Sequence, residues 1–441
     1  MSLLPQHKDY VIVGAGIHGL STAWHLAKEL KARGKGSGEQ IIVLDKDGPG
    51  SGASGIACGV VRNFYYQPAM GEVMRVSVQV WEENAEILQY HGVGYLAAVG
   101  PVQQGDLEAI YERQQRSGYR SDLILGEEQV YRYMKEMFPD WKARGLTTIL
   151  HEKQGGFAFN TPSVMGLVKL CEQEGVQILS STRVTGFTFD GDAVAAVQTN
   201  RGDITCSQVV LGPGPWIKQF WAMLDLPEKI DIHTPDGEIV RNLPMWTFWR
   251  LQEGEVRVDP QEYVTGRGEI PPVIHVDSTE PLISDKTGAF ITDELWGIYF
   301  KQDKRGVQGG SVPEHLGPDA EVDPYGVASS KYIVRDDFVD YWTSGLAHCL
   351  ERFEGCHLAY HWAPSGGIGA FSADSFPVFD YMRPNVYVIA DSNHGYKMIG
   401  IGKEVAHTLM GEHSSVLYPF RFERFATGDL HPVSHSPFPW S

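Results

Sequence analysis

The chain has 441 residues, 42% hydrophobic and 21% charged, enough for two domains with cores of their own and ordinary for a water-soluble protein. Its 37 basic side chains against 55 acidic ones give a formal net charge of −18, which argues against nucleic acid or an anionic membrane as the main partner. Any anionic substrate must then be met by a local basic pocket. Cysteines 58, 171, 206, 349 and 356 form no CxxC pair and no cluster with histidines, so reduced thiols are expected, with no disulfide framework and no metal site. The opening MSLLPQHKDY has no signal-peptide apolar region, and no apolar run approaches the ~18 residues of a membrane span, which predicts a cytoplasmic protein.

The first predicted element is a buried strand at 10–13, followed by Gly14, Gly16 and Gly19 in a G-x-G-x-x-G pattern and then an amphipathic helix carrying Leu20, Ala23, Trp24, Ala27 and Leu30 on one face. Gly14 suits a tight turn and Gly16 the close approach of a pyrophosphate. Gly19 suits close helix–sheet packing, while the helix N-terminus meets the phosphate charge. A second strand, 41–45, ends in Asp45, placed to accept hydrogen bonds from a ribose, and the insert 31–40 reads as an extended surface turn. A glycine-rich turn that binds nothing is the alternative; the strand–helix–strand context favours a dinucleotide.

The second glycine-rich loop, 48–63, predicts backbone and hydroxyl groups against a ligand, with a flexible surface turn as the bland alternative, and Arg62 and Asn63 after Val60-Val61 favour an ordered site. Residues 68–90 read as a helix whose Met and Val stripe belongs to the core. A strand at 94–99 and helices around 104–117 and 126–138 open an excursion into a second domain. Helix 162–174, strand 176–180, a meander turning at 190–192 and 200–202, and strand 208–211 return to the first. Residues 231–349 form a second excursion, rich in aromatics (Trp246, Phe248, Trp249, Trp296, Tyr299, Phe300). A glycine turn at 365–369, strand 386–390, the loop 391–397 and a helix through Met410 follow, and the tail after Gly428 is expected to pack on the surface or fray. The expected division is 1–90, 151–230 and 350–428 for the dinucleotide-binding domain, 91–150 and 231–349 for the second domain, and 429–441 for the tail.

Taken together, GAGIHG with Asp45, the loop GASGIACGVVR, the segment 175–216 ending in VVLGPGPW, the turn SADSFP (372–377), the loop SNHGYKMIGIG (392–402) and the ending YPFRFERF resemble the FAD-dependent amine and amino-acid oxidase family of D-amino acid oxidase, glycine oxidase and sarcosine oxidase. The match runs from about residue 9 to 425 and is nearest the sarcosine oxidase and glycine oxidase branch. The fold it implies is α/β in the two-domain sense: a Rossmann-like FAD-binding domain with a second, mostly antiparallel β-sheet substrate domain.

The resemblance implies FAD rather than a nicotinamide, with the aromatic excursion roofing the substrate. It places the cofactor on Gly14, Gly16, Ile17, His18 and Gly19, on Asp45 and Lys46, and on Ser54, Gly55, Gly59 and Val60 of the second loop. It adds Val184, Gly212, Trp216 and Gly367, and finally His394, Gly395, Tyr396 and Lys397. Relatives that attach flavin covalently use a His or a Cys where this chain has Ile56 and Gly367, which implies non-covalent FAD. An oxygen-activating Lys of the sarcosine oxidases matches Gln308 here. Cys58 is expected as a packing residue, His394 as a loop stabiliser, and His361 and Trp362 as either core or substrate-lining.

Arg62 and Lys397 match the residues that clamp a substrate carboxylate, against alternatives of a structural ion pair and a solvated lysine. The implied reaction oxidises the C–N bond of a small carboxylated amine, an N-methyl or primary amino acid, by hydride transfer to flavin, and the imine is then hydrolysed. Oxygen or another acceptor takes the electrons. The alternatives are a 2-hydroxy-acid dehydrogenase and a flavoprotein electron-transfer subunit of a larger complex.

Overall fold

The computed structural model describes residues 4–326, 329, 332–361, 367–390 and 394–438. The strand His7–Val13 lies between Ile41–Leu44 and Gly202–Leu211, parallel to both. Gln177–Leu179 extends the parallel set beyond Ile41–Leu44, and Val386–Ala390 pairs parallel to Gly202–Leu211 on the other side. Val378–Arg383 and the meander Val184–Asp190 and Ala193–Thr199 complete an eight-stranded sheet. The central strands read as continuous apolar runs because both faces are covered. Val11 and Val13 enter one core, while Ile12, between them, enters the other with the helices Ile17–Ala32, Pro68–Glu83 and Asn160–Gln173.

The register fixes where ligands can go. Val13 is level with Leu44 and with Leu211, Leu44 with Leu179, and Leu211 with Val388. Five chain segments therefore leave the carboxyl ends of neighbouring parallel strands at one edge, the place where open α/β sheets bind their ligands. The helix Ile401–Leu409 crosses the first helix so closely that a Cβ on Gly402 would come within 2.5 Å of the Ser21 backbone, and the Ser21 hydroxyl donates to Ile399 O at 2.6 Å.

The second sheet has nine strands in the order Tyr360–His361, Trp246–Val256, Gly306–Gly317, Trp296–Asp303, Val273–Ser278, Tyr95–Val99, Thr148–Glu152 and Ser121–Leu125, with Ile368–Ser372 also on Trp246–Val256. Every pairing in it is antiparallel except Val273–Ser278 with Tyr95–Val99. The helix Asp336–Cys349 covers one face through Phe338, Trp342 and Leu346. Tyr360–His361 and Ile368–Ser372 pair in this sheet although the expected boundary at 350 places them with the dinucleotide-binding unit; they add to Trp246–Val256 as edge strands.

Four local expectations are refined. The helix expected over 68–90 is Pro68–Glu83, and the insert 31–40 is partly helix and partly a 3₁₀ turn, Gly38–Gln40, closed by a Ser37–Gln40 capping box. Of the glycine turn expected at 365–369, residues 365 and 366 lie outside the described residues, and Gly369 sits within a strand. The tail does not fray over 429–438. His435 bonds Asp106 through its backbone N–H at 2.7 Å and through Nδ1 at 3.0 Å, and Gln67 Nε2 donates to Pro432 O at 3.0 Å. These anchors bring Phe438 edge-on to His275, 6.3 Å between ring centroids.

The SADSFP turn is locked from within. Arg424, fully buried, donates to Asp374 through Nε and Nη2, both at 2.8 Å, and also to Phe376 O and Phe420 O, while Asp374 Oδ1 accepts from Ser372 Oγ and Phe376 N. Burial pushes the Asp374 carboxyl up, but the Arg424 guanidinium and its hydrogen bonds outweigh that and hold it below the usual range. A depressed carboxylate contributes stability that is full above its unfolded pKa of about 4 and is lost as pH falls through the folded value. Asp374→Ala is expected to lower stability by about 3–5 kcal/mol at neutral pH because it strands a buried guanidinium. Denaturant melts across pH should show the gap to wild type narrowing below about pH 4.

Candidate functional site

Two adjoining cavities open at the carboxyl edge of the parallel strands. The larger, about 450 Å³, runs along the glycine-rich turn; the smaller, about 120 Å³, lies against the second sheet. Ala57, Leu251, Glu253 and Tyr396 line both, so the two meet at those residues.

Close backbone contacts build the wall of the larger cavity. Gly14 has φ +101°, and a Cβ there would lie 2.3 Å from Gly212 O; its N–H donates to Leu44 O, while Gly212 N–H donates to Val13 O. A Cβ on Gly19 would meet Gly14 O at 1.9 Å, so that glycine serves packing and lines neither cavity. Gly16 caps the first helix with no side chain of its own and faces the cleft together with Ile17 and His18. The Ser54 hydroxyl accepts from Ile17 N at 3.1 Å, which ties the second glycine-rich loop to the first. That loop is ordered, with a short helix, Ala53–Ile56; Gly55 packs on Gly50 O and lines neither cavity.

Asp45 lines the cleft, but its carboxylate already holds the turn together: Oδ2 accepts from Ala15 N at 2.9 Å and Oδ1 from Asp47 N at 2.9 Å. Lys46 lies 3.9 Å over the Trp216 ring, and both side chains bond Asp323. Val184, Gly212, Gly367 and Gly395 complete the placement of expected cofactor residues on this wall. His18 Nε2 donates to Gly395 O at 3.0 Å, and burial lowers its pKa to about 4, so it is neutral near pH 7. His394 is fully buried against Tyr65 and Phe376 and lines neither cavity, a packing position rather than a contact position.

The smaller cavity is lined by Gly59, Val60, Arg62 and Lys397 from the expected set. Arg62, 8% exposed, makes no ion pair among the described residues. Its Nη1 donates to Tyr95 Oη at 2.9 Å, and its guanidinium lies 4.8 Å from the Tyr65 ring centroid and 5.3 Å from that of Tyr95. Tyr95 Oη meets His275 Nδ1 at 2.8 Å, His275 Nε2 donates to Asp277 Oδ1 at 2.8 Å, and Gln103 donates to Asp277 Oδ2. A buried chain of four side chains thus fixes the guanidinium from behind with neutral donors and acceptors in contact with it. Trp81 Nε1 donates to Lys397 O and fixes that backbone, while Lys397 Nζ lies 5.9 Å from the Tyr65 ring centroid. Tyr396 Oη bonds Ser163 Oγ at 2.5 Å.

Tyr95, His275, Glu253, Tyr299 and Phe438 also line the smaller cavity and were not singled out as site residues from sequence. A signal existed for one pair: His275 and Asp277, two apart in the otherwise apolar strand VIHVDS, must share a face. Glu253 is likewise a carboxylate in a strand with buried neighbours. The aromatic roof expected over the site is corrected: Trp246 and Phe248 belong to one core and Trp296 and Phe300 to another, and of the six only Tyr299 lines a cavity. Their strands are covered on both faces, so large rings fill the interior. Cys58 is buried at the cavity wall, its thiol pKa raised by burial. Gln308 lines neither cavity and His361 bonds Arg257, whereas Trp362 lies outside the described residues.

A glycine-bounded cleft at the carboxyl edge of a parallel sheet, joined to a second cavity lined by two cations, has the build of a dinucleotide-binding enzyme. The family model for FAD-dependent oxidoreductases (DAO) matches residues 9–408, and the chain belongs to that family. It is 27% identical to the sarcosine oxidase subunit beta of Rhizobium meliloti over 52% of this chain and 54% of that one. It is 24% identical to the corresponding Arthrobacter sp protein over 97% and 96%. The aligned part spans about half the length of the Rhizobium meliloti and Rhodobacter capsulatus subunits. Among solved structures, L-proline dehydrogenase from P. horikoshii superposes with a TM-score of 0.73 at 19% identity, covering 97% of this chain and all of that one (100%). L-amino acid deaminase from Proteus myxofaciens gives 0.67 at 16%, covering 96% and 95%.

The residues present fit FAD. The cleft is walled by glycine backbone, and its first helix, capped by Gly16 without a side chain, turns its N-terminus toward the space a pyrophosphate would fill, with Ser54 already bonded to the Ile17 N–H. Gly16→Val is expected to fold with unchanged circular dichroism but to lose most of its FAD on desalting, read as flavin absorbance per protein; a fully yellow variant would remove Gly16 from the site.

Proposed function

We propose that this enzyme oxidises the C–N bond of a small carboxylated amine, an N-methyl or primary amino acid. The observation that carries the reading is Arg62, a buried guanidinium with no carboxylate partner among the described residues, in the cavity that adjoins the FAD cleft. In a chain of net charge −18 a buried unpaired cation is costly unless a ligand anion completes it. A substrate carboxylate would meet the Arg62 fork, held in place by Tyr95 and His275, and the Lys397 ammonium would add point charge. FAD, when bound, supplies the oxidant that takes hydride from the carbon beside nitrogen. The protein's part is to hold the substrate by its carboxylate, exclude water behind a packed wall, and keep the reacting carbon in one place.

The names of relatives point the same way: one is a 4-methylaminobutanoate oxidase (formaldehyde-forming) of Paenarthrobacter nicotinovorans, 25% identical over 56% of this chain and 30% of that one. Non-covalent FAD is supported by Ile56 and Gly367, neither of which can form a flavin bond. We also propose the discontinuous domain division given above, with Tyr360–His361 and Ile368–Ser372 moved to the substrate-binding unit whose sheet they join, a Rossmann-type FAD unit, and a reducing compartment such as the cytoplasm, in keeping with five free cysteines. No helix among the described residues is long and apolar enough to cross a membrane. A second reading, a flavoprotein subunit that works within a complex, is favoured by Gln308 at the position expected for lysine and by relatives named as beta subunits.

Arg62→Gln is expected to raise KM for carboxylated amines by about 10- to 100-fold, the worth of a charge-assisted hydrogen bond, while FAD stays bound. KM for the decarboxylated amine should not change, and equal effects on both compounds would remove Arg62 from carboxylate binding. Acid precipitation should release FAD into the supernatant; a yellow pellet would mean a covalent link.

A further inference from the structure

Glu253 is the sole carboxylate lining the smaller cavity among the described residues, and it stands where that cavity meets the FAD cleft. It is 93% buried, with a residue exposure of 7%. Oε1 accepts from Tyr299 Oη at 2.9 Å, whereas Oε2 has no partner in good hydrogen-bond geometry, although the Cys58 backbone N–H acts on the carboxylate. A buried carboxylate oxygen without a well-placed donor carries the cost of desolvation, which a ligand N–H would relieve. Arg62 and Lys397 line the same cavity, so it presents two cations and one acid to a single small ligand.

Resting on the proposed carboxylated-amine reading, we propose that Glu253 Oε2 receives the substrate's ammonium and takes one of its protons, making this residue the amine-selecting group of the site. In that step an N–H bond breaks, an O–H bond forms on Glu253, and the electron pair stays on nitrogen. That lone pair is what a C=N bond would need, bound FAD supplying the two-electron acceptor for the hydride of the neighbouring C–H. Tyr299 is a positioning residue: its hydroxyl occupies Oε1 and leaves Oε2 for the substrate. The arrangement also discriminates by chemistry. A 2-hydroxy acid brings no positive charge, so binding it would leave the buried carboxylate without a cationic ligand partner, and sites built around such a partner reject analogues that lack it.

The charged and titratable groups acting on Glu253 are Tyr299 and Lys301 on Trp296–Asp303, two strands away across Gly306–Gly317, Cys58 on the second glycine-rich loop, Lys397 on the loop before the last long helix, and Tyr325. Burial raises the Glu253 carboxyl to about 7, with Tyr299, the Cys58 amide and the two lysines holding it from going higher. It accepts a proton when ionised, so kcat/KM for amines should fall as pH drops below about 7.

The test uses the FAD-loaded enzyme, Glu253→Gln, Glu253→Asp and Tyr299→Phe. Two quantities are read: anaerobic flavin reduction by N-methyl and primary amino acids across pH, and the flavin absorbance change on titration with the amine-free carboxylate of the same skeleton. Glu253→Gln should slow reduction by amines at least about 100-fold and abolish the limb near pH 7, yet bind the amine-free carboxylate as tightly as wild type or more tightly. Tyr299→Phe should shift that limb, and Glu253→Asp should restore part of the rate. If Glu253→Gln loses FAD or fails to fold, Tyr299→Phe carries the test. Unchanged amine reduction with an intact pH limb in either variant overturns the inference, as does equal weakening of amine and amine-free ligands. If no amine reduces the wild-type flavin, the substrate reading itself fails, an outcome distinct from a variant that behaves as wild type.

Discussion

The contact between three glycine backbones governs the rest of the molecule. Gly19 can approach Gly14, and Gly14 can approach Gly212, only because Gly19 and Gly14 carry no Cβ; side chains there would fall 1.9 and 2.3 Å from carbonyl oxygens. That approach holds the first helix down on the sheet and lets its N-terminus face the space at the carboxyl ends of the strands. The parallel register, with Val13 level with Leu44 and Leu211, then brings loops distant in sequence to the same edge. His18 extends the link across the chain by bonding Gly395 O, so the first and last ligand loops share one anchor. Loosening any of these contacts would widen the cleft that FAD must fill.

Charge in the smaller cavity is organised differently from charge elsewhere in the chain. Most ion pairs here are surface contacts of small energetic weight. Arg62 instead sits in a box of Tyr65 and Tyr95 rings and is bonded by a phenol, with the His275–Asp277 pair one step further back. Such a shell orients a guanidinium without neutralising it, which suits a group reserved for a ligand carboxylate. The buried Glu152 shows the contrasting use of a charge. It accepts from Asn63 N, Gln114 Nε2 and Tyr119 Oη, and burial raises its pKa to about 7 despite those bonds; it stiffens the loop after Arg62 and lines neither cavity.

Much of this was legible in the sequence where backbone chemistry sets the outcome. Glycine spacing, continuous apolar strands and the order of the motifs led to the parallel sheet, the ligand edge and a set of cofactor residues most of which line the larger cavity. Side-chain direction was less legible. His394 belongs to the right loop yet packs inward on Tyr65 and Phe376, and Gly19 and Gly55 serve packing alone. The second sheet hid its site because strands buried on both faces give no alternation to read, so cavity-facing Tyr299 looks the same as core-facing Phe300. Phe438 could not be placed either, since its position depends on the distant Asp106 and Gln67 anchors.

The central claim is that the two cavities together oxidise carboxylated amines. The most direct measurement is anaerobic mixing of the purified FAD-loaded protein with N-methyl amino acids, primary D- and L-amino acids and 2-hydroxy acids, following the visible flavin absorbance. Stoichiometric bleaching by at least one carboxylated amine, and none by its 2-hydroxy counterpart, is the predicted result. Bleaching by the hydroxy acids in place of the amines would contradict the account.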